Sequence, residues 1–179
     1  DLSSLRILAS TGEPWNPDPY RWFFEEVGKA ELPIINLSGG TEVGACFLSP
    51  HPISPLEPCT LRGPALGMDV AVFRADGTEA GPGEVGELVC RRPWPSITRG
   101  LRGDPERYLD AYWRRFPGVW CHGDWASVDE QGSWFLHGRS DDTMNVAGKR
   151  LGPAEVESIL MMDPAVTESA VVGVITIAP

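Results

Sequence analysis

The 179-residue sequence is long enough for one domain or slightly more, and 42% of it is hydrophobic, which suffices for a packed core. Fifteen basic side chains against 25 acidic ones leave a net charge of −10 with no basic cluster longer than two residues, which disfavours a nucleic-acid partner. No run of about 18 uncharged apolar residues is present, so no membrane span is expected, and DLSSLRILAS lacks the basic start and long apolar core of a signal peptide.

Residues 5 to 9, Leu-Arg-Ile-Leu-Ala, read as a short buried strand that Ser10-Thr11-Gly12-Glu13-Pro14 breaks into a loop. Asp18 to Ala30 is predicted helical, with Asp18 as N-cap, Pro19 in the first turn, and Trp22, Phe23 and Val27 near helical spacing. A second strand, Pro33 to Leu37, runs into the glycine loop Ser38-Gly39-Gly40-Thr41-Glu42-Val43-Gly44. Strand, helix, strand, glycine loop is an α/β crossover, and ligands favour the loops at the carboxyl ends of such strands.

Leu48 to Pro64 is proline-rich and without periodicity, an irregular connection. Antiparallel β is then expected: strands at Met68 to Arg74 and Glu84 to Arg91, with a hairpin turn at Ala75-Asp76-Gly77-Thr78. Asp104 to Arg115 reads as a helix with Pro105 in its first turn. Trp125 to Val128 and Ser133 to His137 read as a hairpin around Asp129-Glu130-Gln131-Gly132, so pairing would bring Asp124 and Arg139 to one sheet edge. Gly152-Pro153 opens a helix to about Met162, and Glu168 to Val174 is an apolar strand. The four cysteines, Cys46, Cys59, Cys90 and Cys121, show no CxxC spacing and read as buried free thiols rather than a metal or disulfide framework. His122 beside Cys121 makes no zinc pair, because neighbouring strand side chains point to opposite faces.

Three glycine-anchored polar clusters stand between residues 122 and 157: His122-Gly123-Asp124, Gly138-Arg139-Ser140-Asp141-Asp142, and Gly148-Lys149-Arg150. Together with Asn145 and Glu155, this spaced set resembles the signature of the adenylate-forming superfamily. The run from Pro93 to Asp124 is most similar to its acetyl-CoA synthetase-like branch.

The resemblance implies an α/β (mixed α+β) fold. Residues 1–138 would be the end of a large AMP-binding domain, with a small antiparallel β-barrel subdomain at about 62–138. Residues 139–179 would be the hinge and the start of a C-terminal lid.

It also implies site roles. Gly12, Glu13 and Pro14 would line adenine, and Ser38, Gly39, Gly40 and Thr41 would meet the nucleotide, with Thr41 at phosphate. Glu42 would hold Mg2+. Asp124 would accept from both ribose hydroxyls, with Arg139 reaching the same ribose or its phosphate. Asp141 would be the hinge, and Gly148 and Arg150 would stand on the CoA side; Lys149 holds a variable position. Ser38 replaces the aromatic ring that most members stack on adenine. Gly39 replaces the tryptophan that shortens the acyl pocket of acetyl-specific members, so an acid larger than acetate is expected.

The implied activity is a cytoplasmic ATP-dependent acid–CoA ligase of fatty acid metabolism, acting through an acyl-adenylate with ATP, Mg2+ and CoA. The family's phosphate loop and catalytic lysine are not found in these 179 residues, so this chain alone is expected to be inactive and to pair with the rest of its parent chain or self-associate. An adenylation domain loading a carrier protein, and a non-catalytic nucleotide-binding or interaction module, are the alternatives.

Overall fold

The computed structural model describes residues 1–146 and 149–174 of the chain. Strand β1 (Leu8–Ser10) pairs in parallel with β2 (Ile34–Asn36), Leu8 opposite Ile34, so the expected crossover is present. Its helix is shorter than the periodicity suggests. Helix α1 (Pro17–Trp22) starts one position before the expected cap, with Asn16 as N-cap and Pro17 in the first turn, where a missing N–H costs nothing. From Phe23 to Val27 the backbone widens into a π-helical turn, and Gly28 N donates to Phe23 O at 3.0 Å. The helix stops at Gly28, where a Cβ would lie 2.6 Å from Phe24 O. Lys29 and Ala30, expected to be helical, instead take left-handed φ values of 55° and 56°. The crossover buries Leu8, Tyr20 and Ile34, against which Trp15, Phe23 and Phe24 pack.

After β2 the expected glycine loop is a hairpin: β3 (Ser38–Gly40) pairs antiparallel with β4 (Ala45–Leu48). Residues without bulky side chains suit it, because a Cβ on Gly39 would stand 2.2 Å from Ala45 O. The turn is pinned from outside. Val43 is wholly buried, and its carbonyl accepts from Trp94 Nε1 and Ser96 Oγ, both at 2.8 Å. The backbone N–H of Thr98 donates to Glu42 O at 3.1 Å.

The second half is built on a four-stranded antiparallel sheet in the order β5 (Val70–Phe73), β6 (Gly86–Cys90), β7 (Trp120–Val128), β8 (Trp134–Arg139). Helix α2 (Pro105–Tyr112) packs on it, capped by Asp104, whose carboxylate accepts from Arg107 N at 3.0 Å. The irregular 48–64 connection joins sheet and hairpin: Leu61 bridges to Trp134 and Pro64 to Leu48. One core therefore runs through Phe47, Leu48, Leu88, Trp94 and Trp120, with Tyr112 stacked on Trp120 at 4.1 Å. All four cysteines are free thiols, Cys90 and Cys121 buried and Cys46 and Cys59 half-buried.

Beyond β8, β9 (Met144–Val146) pairs with β10 (Lys149–Leu151), and α3 (Pro153–Leu160) follows. The expected strand at 168–174 does not form. The Val171 N–H that a ladder would need is taken by Glu157 Oε1 at 2.8 Å, and Ser169 Oγ donates to Glu157 O. Gly148, the first residue of the third cluster, lies outside the described residues.

Candidate functional site

A cleft of about 860 Å³ opens where the carboxyl ends of β1 and β2 face β7 and β8. One wall is the loop Gly12, Glu13 and Pro14, freed from strand geometry by Gly12 at φ +102°. The second is Ser38, Gly39, Gly40 and Glu42 of the hairpin, and the third is Asp124 with Arg139. The cleft thus joins residues 127 positions apart in the chain (139 − 12). Thr41 stands exposed at the hairpin turn, outside the lining, and Asp141 lies at the rim, also outside it. Arg150 lies in β10.

The third wall follows from strand register. Asp124 on β7 is opposite Arg139 on β8, and the guanidinium Nη1 reaches Asp124 Oδ1 at 3.2 Å. Gly123 makes room for it: at φ +85°, a Cβ there would sit 2.7 Å from Arg139 Nη2. Arg139 also grips Asp141 with both arms, Nε to Oδ1 at 2.8 Å and Nη2 to Oδ2 at 2.5 Å, and donates to His122 O at 3.3 Å. Such a forked pair is stronger than a single contact.

These contacts set the charges. Burial pushes the Asp124 carboxyl up against the opposing pull of His122 and Arg139. Burial also pushes Asp141 up, but the hydrogen bond and charge of Arg139 outweigh it and hold that carboxyl below its ordinary value. Arg139 is held protonated by Asp141 and Asp124. Burial, reinforced by the Glu42 charge, raises the Tyr112 phenol.

Sequence reasoning left several cleft residues without a role. His122, only 7% exposed, shares the face of Asp124 two positions on; Trp15, Asn36 and Tyr112 come from three further segments. Strand alternation could have found His122, since residues i and i+2 share a face. Nothing in the sequence brings Tyr112 to Glu42, because that meeting is set by the docking of α2 on β7. Behind the third wall, Glu87 is fully buried, paired with Arg115 Nη1 and accepting from Ser140 Oγ at 2.6 Å.

The arrangement offers a carboxylate and a forked cation on one side and bare hairpin backbone on the other. Among the described residues no group of three or more His, Cys, Asp or Glu side chains could hold a metal by itself. Glu42 fits a different mode, in which a hard cation takes one protein carboxylate and completes its shell with ligand phosphates and water.

Residues 1–101 match the model of a family described as AMP-binding enzyme. The acetyl-coenzyme A synthetase of Chlorobaculum tepidum is 46% identical over 174 residues, covering 97% of this chain and 26% of that protein. The acetyl-coenzyme A synthetase of Pyrobaculum aerophilum is 44% identical over 177 residues, with the same two coverages. Among solved structures, the acetoacetyl-CoA synthetase from Streptomyces lividans superimposes with a TM-score of 0.82 at 38% identity, over 96% of this chain and 27% of that one. The chain therefore spans about a quarter of the length of the relatives it matches.

Proposed function

Because this chain belongs to the AMP-binding enzyme family, in its acyl-CoA synthetase branch, we propose that its cleft holds the adenylate end of an acid–CoA ligation. The parent activity would join a carboxylic acid to ATP, release pyrophosphate, and pass the acyl group to CoA. The observation that carries this reading is the pairing of Asp124 with Arg139 across from the Ser38–Gly40 backbone, in one cleft large enough for a nucleotide.

Asp124 would accept from the ribose hydroxyls, leaving Arg139 to balance its charge and turn toward the phosphate. Gly39 and Gly40 carry no side chains of their own, so their backbone borders the cleft within reach of the ligand. Gly12, Glu13 and Pro14 would form the flat wall against adenine. Thr41 would turn its hydroxyl to phosphate. Glu42 would hold Mg2+, which when bound would neutralise developing phosphate charge. Adenine lacks a stacking ring at Ser38, and Trp15 is the large aromatic side chain that borders the cleft beside Gly12–Pro14.

Asp141 would be the pivot between residues 1–138 and a lid at 139–179, the lid presenting Gly148 and Arg150 to CoA. Few residues need change φ/ψ at a pivot, and releasing the Arg139 fork would free it. Gly39 supports an acid larger than acetate, and a cytoplasmic role in fatty acid metabolism goes with that substrate. These 179 residues on their own would bind nucleotide without turning over, since the phosphate-loop and catalytic-lysine motifs are not among them.

Isothermal titration tests the reading. AMP and a series of acyl-sulfamoyladenosines should bind saturably to the chain, more tightly as the acyl group grows beyond acetyl, and Asp124→Ala should weaken all of them. No saturable binding, or binding indifferent to Asp124→Ala, contradicts it. Pyrophosphate exchange by the chain alone contradicts the expected inactivity.

A further inference from the structure

We infer that His122 is a positioning residue of the cleft: its ring ties β7 to β3 and thereby fixes where the Asp124 carboxylate stands against the Gly39–Gly40 backbone. This rests on the nucleotide reading above and adds to it a residue to which no role is attached.

The geometry is specific. His122 Nε2 lies 3.3 Å from Gly39 O and 3.6 Å from Asp124 Oδ2, so one ring nitrogen faces both the carbonyl of one wall and the carboxylate of the other. A carbonyl can only accept, so Nε2 carries the proton. The opposite nitrogen, Nδ1, is buried with no hydrogen-bond partner among the described residues, which fits a neutral ring rather than an imidazolium. Packing holds the plane: the ring meets Phe47 edge-to-face at 4.8 Å, 88° between planes. The glycine beside it completes the fit, because a Cβ on Gly40 would lie 2.9 Å from His122 Cε1.

The two walls share no strand ladder at this point, since β3 pairs with β4 and β7 with β6 and β8. Gly123 adds to the need for a tie. Its left-handed backbone and the register shift between Asp124 and Ala126 leave this part of β7 less constrained by its neighbours than a regular strand. Without the Nε2–H contact, Asp124 would still pair with Arg139 but would no longer be held at a fixed distance from β3. A ligand bridging the two walls would then have to bring them into position itself.

The test compares AMP affinity of the wild-type chain with that of Asp124→Ala, His122→Phe and His122→Gln. Phe keeps the ring packing on Phe47 without the nitrogen, and Gln restores an N–H donor near Nε2. The expected result is about tenfold weaker AMP binding in His122→Phe and within about threefold of wild type in His122→Gln, where about tenfold equals one good hydrogen bond. If Asp124→Ala loses AMP and His122→Phe does not, the positioning role is overturned while the nucleotide reading stands. If AMP fails to bind the wild type, or Asp124→Ala leaves it unchanged, the nucleotide reading falls and this inference with it. A long-range nitrogen–proton spectrum of the histidine side chains decides should His122→Phe not fold: the Nε2–H tautomer is expected at His122, and Nδ1–H overturns the proposal.

Discussion

Replacing Glu87 with alanine should cost far more than its position, one strand behind the cleft, suggests. The carboxylate is fully buried, ion-paired to Arg115 and bonded to Ser140 Oγ at 2.6 Å. Arg115 is 38% exposed and can turn to water, so its charge-assisted bond is taken at the low end, about 1.5 kcal/mol. The Ser140 bond adds about 1 kcal/mol, and the lost methylene and residual cavity about 1 more. Removing a buried charge returns part of this, which leaves roughly 3 kcal/mol, or a Tm about 6–12 °C lower for a chain of this size. Glu87→Gln keeps an oxygen for Ser140 and should cost about half as much. Urea unfolding followed by tryptophan fluorescence gives both values. Because Ser140 N donates to Gly123 O at 2.8 Å, amide exchange at Ser140 should also speed up in Glu87→Ala. A cost below about 1 kcal/mol for Glu87→Ala would refute the anchoring role.

Other outcomes follow from single contacts. Gly39→Ala should destabilise by about 3 kcal/mol, because its Cβ meets backbone, Ala45 O at 2.2 Å, and the β3–β4 hairpin must open to admit it; a neutral substitution in a urea titration contradicts this. His122 is held neutral first by burial, with Arg139 adding to that and Asp124 and Glu42 opposing, so its folded pKa lies below the unfolded value. The unfolded chain then binds the extra proton, and stability is lost as pH falls below about 6.5. His122→Gln should flatten that slope of unfolding free energy against pH, and an unchanged slope counts against it. Burial, then Glu87, pushes the Cys121 thiol up to about 12, so iodoacetamide at pH 8 should spare Cys121 in the folded chain and modify it after unfolding, read by peptide mass spectrometry.

The parts legible in the sequence were those set by local chemistry. The β1–helix–β2 crossover, the α2 start at Asp104-Pro105 and the Asp124–Arg139 pairing all rest on caps, alternation and turn residues, and each appears in the structure. Where the reading departs from the structure, tertiary contacts decide. The helix through Ala30 gives way to a π turn packed on Leu8 and Ile34. The 168–174 strand is displaced by the side chain of Glu157. The glycine loop closes into a hairpin because Trp94 and Ser96, about 50 positions on, hold its turn. For His122, alternation places the ring on the face of Asp124, but its contact with Gly39, 83 positions away, is set by tertiary packing.

The most direct measurement of the central claim compares AMP with its 2′,3′-dideoxy analogue against the wild-type chain and Asp124→Ala. If Asp124 accepts from the ribose hydroxyls, the wild type should bind AMP at least about tenfold more tightly than the dideoxy analogue, and Asp124→Ala should bind the two alike. Equal affinities in the wild type, or discrimination that survives in Asp124→Ala, would contradict the account.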